Sequence, residues 1–255
     1  MKIGITLSGG GARGIVHIGV LKALEEMGVK ISVISATSAG AIVGSLYAYG
    51  IKPDQIFEQI KQLTLLKSMR PAWTWAGLLT MDWLKELIVK NIPENDFSAL
   101  KIPVTIAATE IRKGQVQYFF SGELTTAVVA SCSIPAIFSP VHVNNDFFVD
   151  GGLLDNLPAS VIRDQCDFLI GSHCNEISQE FDPKNMKVVI ERSLLIAIWA
   201  NTRHSMDLCD VMIRPPKMDR FTVFDLSRAQ EIYDYGYQFT KENFKSSQFQ
   251  KATAA

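Results

Sequence analysis

Twice within the first fifty residues, an apolar run breaks into a loop of small residues and then into a helical repeat. Lys2-Ile3-Gly4-Ile5-Thr6-Leu7 leads into Ser8-Gly9-Gly10-Gly11-Ala12-Arg13-Gly14, after which Ile15, Ile18, Leu21 and Leu24 recur at helical spacing as far as Gly28. Val29 to Ile34 leads through Ser35-Ala36-Thr37-Ser38-Ala39-Gly40 into Ile42, Val43, Leu46 and Tyr47, and Gly50 and Pro53 stop that helix. Strand, loop, helix and strand in so short a span form a parallel βαβ unit, because parallel neighbours need a crossover and a helix supplies it. Loops at the carboxyl ends of adjacent parallel strands open into one crevice. The chain is therefore expected to be α/β, with the 9–14 loop and Ser38 side by side.

The remaining pattern fits one α/β domain. Asp54 to Lys67 and Asp82 to Asn91 read as helices. Between them, the aromatic stretch from Arg70 to Leu79 suits either packing on the core or a flap over an acyl chain. Pro103 to Thr109 and Gln115 to Phe120 alternate around Lys113-Gly114, the pattern of an antiparallel hairpin. A helix is expected from Glu123 to Cys132, and another opening at Asn156-Leu157-Pro158. Asp167 to Gly171 and Val211 to Arg214 read as strands, with a long helix reaching Asp207 between them and a closing helix from Leu226 to Asn243. With 255 residues and 47% hydrophobic content, the chain is long enough for a single domain over 1–245, followed by a polar tail at 246–255.

Composition removes several functional classes. The 25 basic and 26 acidic residues form no basic run, which argues against a nucleic-acid partner. Cys132, Cys166, Cys174 and Cys209 show no C-x-x-C spacing, so they read as free thiols in a reducing compartment, without zinc or another metal. The apolar stretch after Lys2 is too short for a signal peptide, and the uncharged run from Val33 to Ile51 is broken by Ser, Thr and small residues, so a buried strand and helix explain it. A cytoplasmic protein without a cofactor is expected.

The chemistry concentrates in three places. Ser38 crowns a strand-to-helix turn of the kind that displays a nucleophile, although Ala36 stands where the usual G-x-S-x-G turn has its first glycine, and Gly40 takes the second position. The 9–14 loop formally satisfies G-x-G-x-x-G, but the next strand ends without the acidic residue that a dinucleotide ribose needs, and no Gly-Lys-Ser/Thr follows. An oxyanion cradle built from N–H groups of Gly10, Gly11, Ala12 and Arg13 is the stronger reading, with Arg13 equally suited to a surface or structural ion pair. Finally, Phe147-Phe148-Val149 delivers Asp150 onto Gly151 and Gly152. Taken without Ser38, Asp150 would read as a cap or turn residue.

Ser8 to Gly14, Ala36 to Gly40 and Asp150-Gly151-Gly152 together, in this order, resemble the patatin-like phospholipase family, and Ala130 to Pro140 looks like a fourth block of it. The resemblance covers about Ile3 to Pro158. It implies a three-layer α/β/α fold with a mainly parallel central sheet, a Ser-Asp dyad without histidine, and hydrolysis of lipid acyl esters such as phospholipids and lysophospholipids. By position, Ser38 becomes the nucleophile, Asp150 the general base and the 9–14 loop the oxyanion hole. No long amphipathic anchor is apparent, so the substrate lipid is expected to be met at a membrane surface only in passing. The oligomeric state stays open. Three rival readings are a Ser-His-Asp triad using His173 or His204, a transacylase working through the same acyl-enzyme, and a non-enzymatic nucleotide- or anion-binding protein.

Overall fold

The computed structural model describes residues 1–67, 81–135, 137–177, 181–223 and 226–250, so the aromatic stretch at 70–79 lies outside the described residues. Among the described residues, eight strands form one sheet. β1 (Ile3–Leu7) lies at its centre and is followed by a short 3-10 turn at Gly11–Ile15 and helix α1 (Val16–Glu26). β2 (Ile31–Thr37), α2 (Ala39–Tyr49), α3 (Pro53–Lys67) and α4 (Asp82–Asn91) follow. Next come the hairpin β3 (Val104–Glu110) and β4 (Gln115–Phe119), helix α5 (Leu124–Cys132), and the pair β5 (Val141–Val143) and β6 (Asp146–Asp150). The chain ends with α6 (Ser160–Arg163), β7 (Phe168–Ser172), α7 (Met186–Asp207), β8 (Val211–Ile213), α8 (Ala229–Asn243) and α9 (Ser246–Gln250).

β3, β2, β1, β7 and β8 run parallel, and β4, β5 and β6 add antiparallel pairs at the β3 side. The alternation of side chains along the strands sorts the core onto two faces. Ile3, Ile5, Leu7, Ile34 and Ile106 enter the larger cluster with residues of α1, α2, α4, α5 and α8. Val33 and Leu169 enter a smaller one with Ile162 of α6 and Cys166. Helices thus cover both faces of the sheet, giving the three-layer α/β/α arrangement.

Two expectations need correcting in detail. The stretch beginning at Ser246 is not uniformly a polar tail: Ser246–Gln250 is helical, and Phe249 is 1% exposed with its ring 6.2 Å from that of Phe168. A single aromatic side chain supplies enough apolar area to dock this short helix. The helix expected from Leu226 starts at Ala229, with Arg228 in the N-cap position. Among the described residues, no helix is long and apolar enough to cross a membrane, and no cluster of three or more His, Cys, Asp or Glu could hold a metal.

Candidate active site

The pairing of β3 brings Ser38 and Asp150 together. Along one edge of β3, Ala36 and Thr37 of β2 pair with Ile106 and Ala107. The opposite edge is taken by β4, which spans Ile106 to Glu110. β6 pairs with Ala108 to Glu110 and must therefore use the edge that β2 vacates after Ala107. The end of β2 then meets the end of β6, with Thr37 opposite Ala107 and Asp150 opposite Ala108.

Ser38 has φ 52° and ψ −121°, a positive-φ conformation sparsely populated by non-glycine residues that costs about 1–3 kcal/mol. Its surroundings hold it there. Ser38 N–H donates to Ser131 Oγ at 2.8 Å, and Ser131 Oγ–H donates in turn to Ala107 C=O at 2.6 Å. Thr37 Oγ1 donates to Asp155 C=O at 2.8 Å. Gly40 allows the first turn of α2 to sit directly on β1, since a Cβ there would come 2.4 Å from Leu7 O. Ala36, the departure from the glycine motif, is fully buried and faces Gly44 of α2, where a Cβ would lie 3.6 Å from the Ala36 methyl. A missing side chain on the helix gives the extra methyl its room.

Asp150 is 7% exposed. Its N–H donates to Ser133 C=O at 2.9 Å, and its C=O accepts from Thr109 Oγ1 at 3.0 Å. Carboxylate Oδ1 accepts from Gly152 N–H at 2.8 Å. Burial raises the acid to about 6, against the opposing pull of hydrogen bonds from Ser38 and Gly152. Gly151 is pressed against β3, where a Cβ would meet Ala107 O at 2.2 Å.

The glycine loop is narrower as a donor set than its sequence suggests. Gly9 N–H donates to Asn156 C=O at 3.2 Å, Ala12 N–H to Val223 C=O at 2.7 Å, and Arg13 N–H to Gly10 C=O at 3.2 Å. Gly14 lies inside the 3-10 turn with its Cα against Ala39. The N–H groups of Gly10 and Gly11 meet no acceptor among the described residues, and neither does that of Ala39, the first residue of α2, which the sequence reading missed. Arg13 is buried and structural: its Nε donates to Phe221 C=O at 2.8 Å, and desolvation pulls its guanidinium below its ordinary value.

Among the described residues, two cavities are lined by Ser38. One, of about 170 Å³, is apolar and lined by Ile42, Val43, Met81, Leu87, Cys132 and Phe138. The other, of about 550 Å³, takes in Gly10, Gly11, Arg13, Asp150, Asn156 and Asn175, with an apolar wall from α7. His173 lines neither; both of its ring nitrogens are buried without a partner among the described residues, and burial holds it down to about 3. Ser131, Asn156 and Asn175 also hold or line the site: Ser131 lies in the Ala130 to Pro140 block without being singled out there, and nothing in the sequence marks Asn156 or Asn175 as site residues.

The family model for patatin-like phospholipases matches residues 5–162, a stretch that holds the glycine loop, Ser38 and Asp150. The chain belongs to the patatin-like phospholipase family. Among relatives in sequence, an NTE family protein of Mycobacterium bovis is 35% identical over 164 residues, covering 63% of this chain and 45% of that protein. Lysophospholipase nte1 of Emericella nidulans is 26% identical over 274 residues, covering 94% of this chain and 18% of that protein. This patatin-like chain thus spans less than half the length of either relative. VipD from Legionella pneumophila shares the fold with a TM-score of 0.55 at 16% identity, covering 99% of this chain and 67% of VipD.

Proposed function

We propose that this chain is a serine acyl hydrolase that cleaves carboxylic esters of lipids through a Ser38–Asp150 dyad and an acyl-enzyme. The observation that carries the reading is the meeting, at one cavity, of a serine held at φ 52°, a buried carboxyl raised to about 6 and glycine N–H groups without acceptors among the described residues. Asp150 takes the Ser38 proton as Oγ bonds to the ester carbonyl carbon. Gly10 and Gly11 N–H groups, with Ala39, stabilise the oxyanion, each donor being worth about 3–4 kcal/mol when well aimed. Collapse breaks the bond to the alcohol, which leaves with the proton from Asp150. Water then gives its proton to Asp150, attacks the acyl carbon and releases the acid and free Ser38.

In this reading the small apolar cavity takes the acyl chain and the larger, mixed cavity takes the alcohol part. The name of the Emericella relative makes single-chain phospholipids the first substrates to test. A fluorophosphonate followed by intact mass tests the dyad. One adduct is expected on the wild type, none on Ser38→Ala and slow labelling of Asp150→Asn; an unlabelled, folded wild type overturns the proposal.

A further inference from the structure

Successive peptide units of the glycine loop are anchored by their carbonyl oxygens. Ser8 C=O lies 2.9 Å from His17 Nε2; a carbonyl only accepts, so Nε2 carries the proton, and Nδ1 accepts from Ser172 Oγ–H at 2.8 Å. Gly9 C=O accepts from Asn175 Nδ2 at 2.6 Å and from Cys174 Sγ at 3.3 Å. Gly10 C=O accepts from Arg13 N–H at 3.2 Å. In a trans peptide the C=O and N–H of one unit point in opposite directions. Anchoring Gly9 C=O therefore aims Gly10 N–H away from Asn175, and it is this N–H that has no acceptor among the described residues.

Asn175 lies beyond the end of β7, 166 residues from Gly9 in sequence, and is 7% exposed. Its Oδ1 is buried without a partner, so the carboxamide's bond to Gly9 is the one it makes among the described residues. Contact at this point is close as well, since a Cβ on Gly10 would fall 2.3 Å from Cys174 Sγ and 2.9 Å from Asn175 Oδ1.

We infer that Asn175 is a positioning residue for catalysis, which clamps the Gly9–Gly10 peptide so that Gly10 N–H faces the oxyanion formed at Ser38. The clamp also polarises that peptide, because a carbonyl that accepts hydrogen bonds makes the N–H of the same unit a stronger donor. This inference rests on the acyl-enzyme reading above.

The test uses a soluble ester and a trifluoromethyl ketone, which forms a tetrahedral oxyanion on the serine. In Asn175→Ala, kcat is expected to fall about 10- to 100-fold with KM within about twofold, and affinity for the ketone to fall by the same factor as kcat/KM. In Asn175→Asp, the ionised carboxylate faces Gly9 C=O and the rate falls at about pH 8. On acidification, a buried carboxylic acid regains a proton and can donate to Gly9 C=O, so the rate relative to wild type at the same pH rises. A role in folding alone would not produce this acid rescue. The inference is overturned if both variants keep kcat within about threefold of wild type, or if only KM rises, which would make Asn175 a substrate contact. If Asn175→Ala does not fold, absence of acid rescue in Asn175→Asp overturns it. A wild type that neither turns over the ester nor takes a fluorophosphonate removes the acyl-enzyme reading and this inference together, whereas an active wild type with unaffected variants removes the inference alone.

Discussion

Replacing Asp150 with Asn should abolish turnover and make the protein more stable. The carboxyl rises from 3.8 to about 6 on folding, a preference for the protonated form of about 3 kcal/mol. Because the folded chain holds this proton more tightly than the unfolded chain, it binds more protons between those two values. Stability therefore falls as pH rises through that window, and the full penalty is present above about pH 6. An asparagine carries no charge to desolvate, and its Oδ1 can still accept from Gly152 N–H, the bond that Asp150 makes at 2.8 Å. Asp150→Asn is expected to be about 1–3 kcal/mol more stable at neutral to alkaline pH, which for a chain of this size raises Tm by about 2–4 °C per kcal/mol. The advantage should disappear below about pH 4, where the wild-type acid is already protonated. Wild-type kcat/KM should fall about tenfold per pH unit below 6 as the base is lost. Thermal unfolding of both proteins from acid to alkaline pH, with ester turnover in parallel, provides the measurement. A variant less stable than wild type by the same amount at every pH would refute the assignment of burial as the cause of the raised acid, and retained turnover would refute its role as base.

Three other substitutions probe separate parts of the site. Ser131→Ala removes the hydroxyl between Ser38 N–H and Ala107 C=O; a loss of about 1–3 kcal/mol in stability and about tenfold in kcat is expected from denaturation and steady-state kinetics. Ala36→Gly restores the missing glycine of the serine turn but empties a packed position facing Gly44; urea unfolding should show a loss of about 0.5–1 kcal/mol, with kcat unchanged within about twofold, and a large gain in kcat would show that Ala36 impairs the turn. Ile42→Phe narrows the cavity of about 170 Å³ beside Ser38; a series of esters of increasing acyl length should reveal a shift towards shorter chains, while an unchanged profile would place the acyl group elsewhere.

The sequence by itself determined the local units of this protein. The repeated change from an apolar run to small residues to helical spacing specified the first βαβ unit, and Lys113-Gly114 between alternating strands specified the β3–β4 hairpin. Ser38 and Asp150 stood out as candidates because each lies at a strand end beside glycine or alanine, in blocks that resemble the patatin-like phospholipase family. Such signals are short-range: they arise from backbone sterics and from the two periodicities of side-chain burial. The burial of Phe249 leaves no such signal, since one aromatic residue in a polar stretch has no period, and its ring packs beside those of Phe168 and Phe244.

Tertiary structure decided how Asp150 reaches Ser38 and which loop N–H groups stay unpaired among the described residues. Nothing local shows that β6 takes over the edge of β3 that β2 leaves at Ala107, yet that succession sets Asp150 beside Ser38. The glycine loop makes the same point at the level of single hydrogen bonds. All its N–H groups look equivalent in sequence, but Asn156, Val223 and Gly10 supply acceptors for three of them, and Asn175 anchors the carbonyl behind another. A donor is available to a substrate only if the fold has not already satisfied it, and that depends on partners brought in from distant parts of the chain.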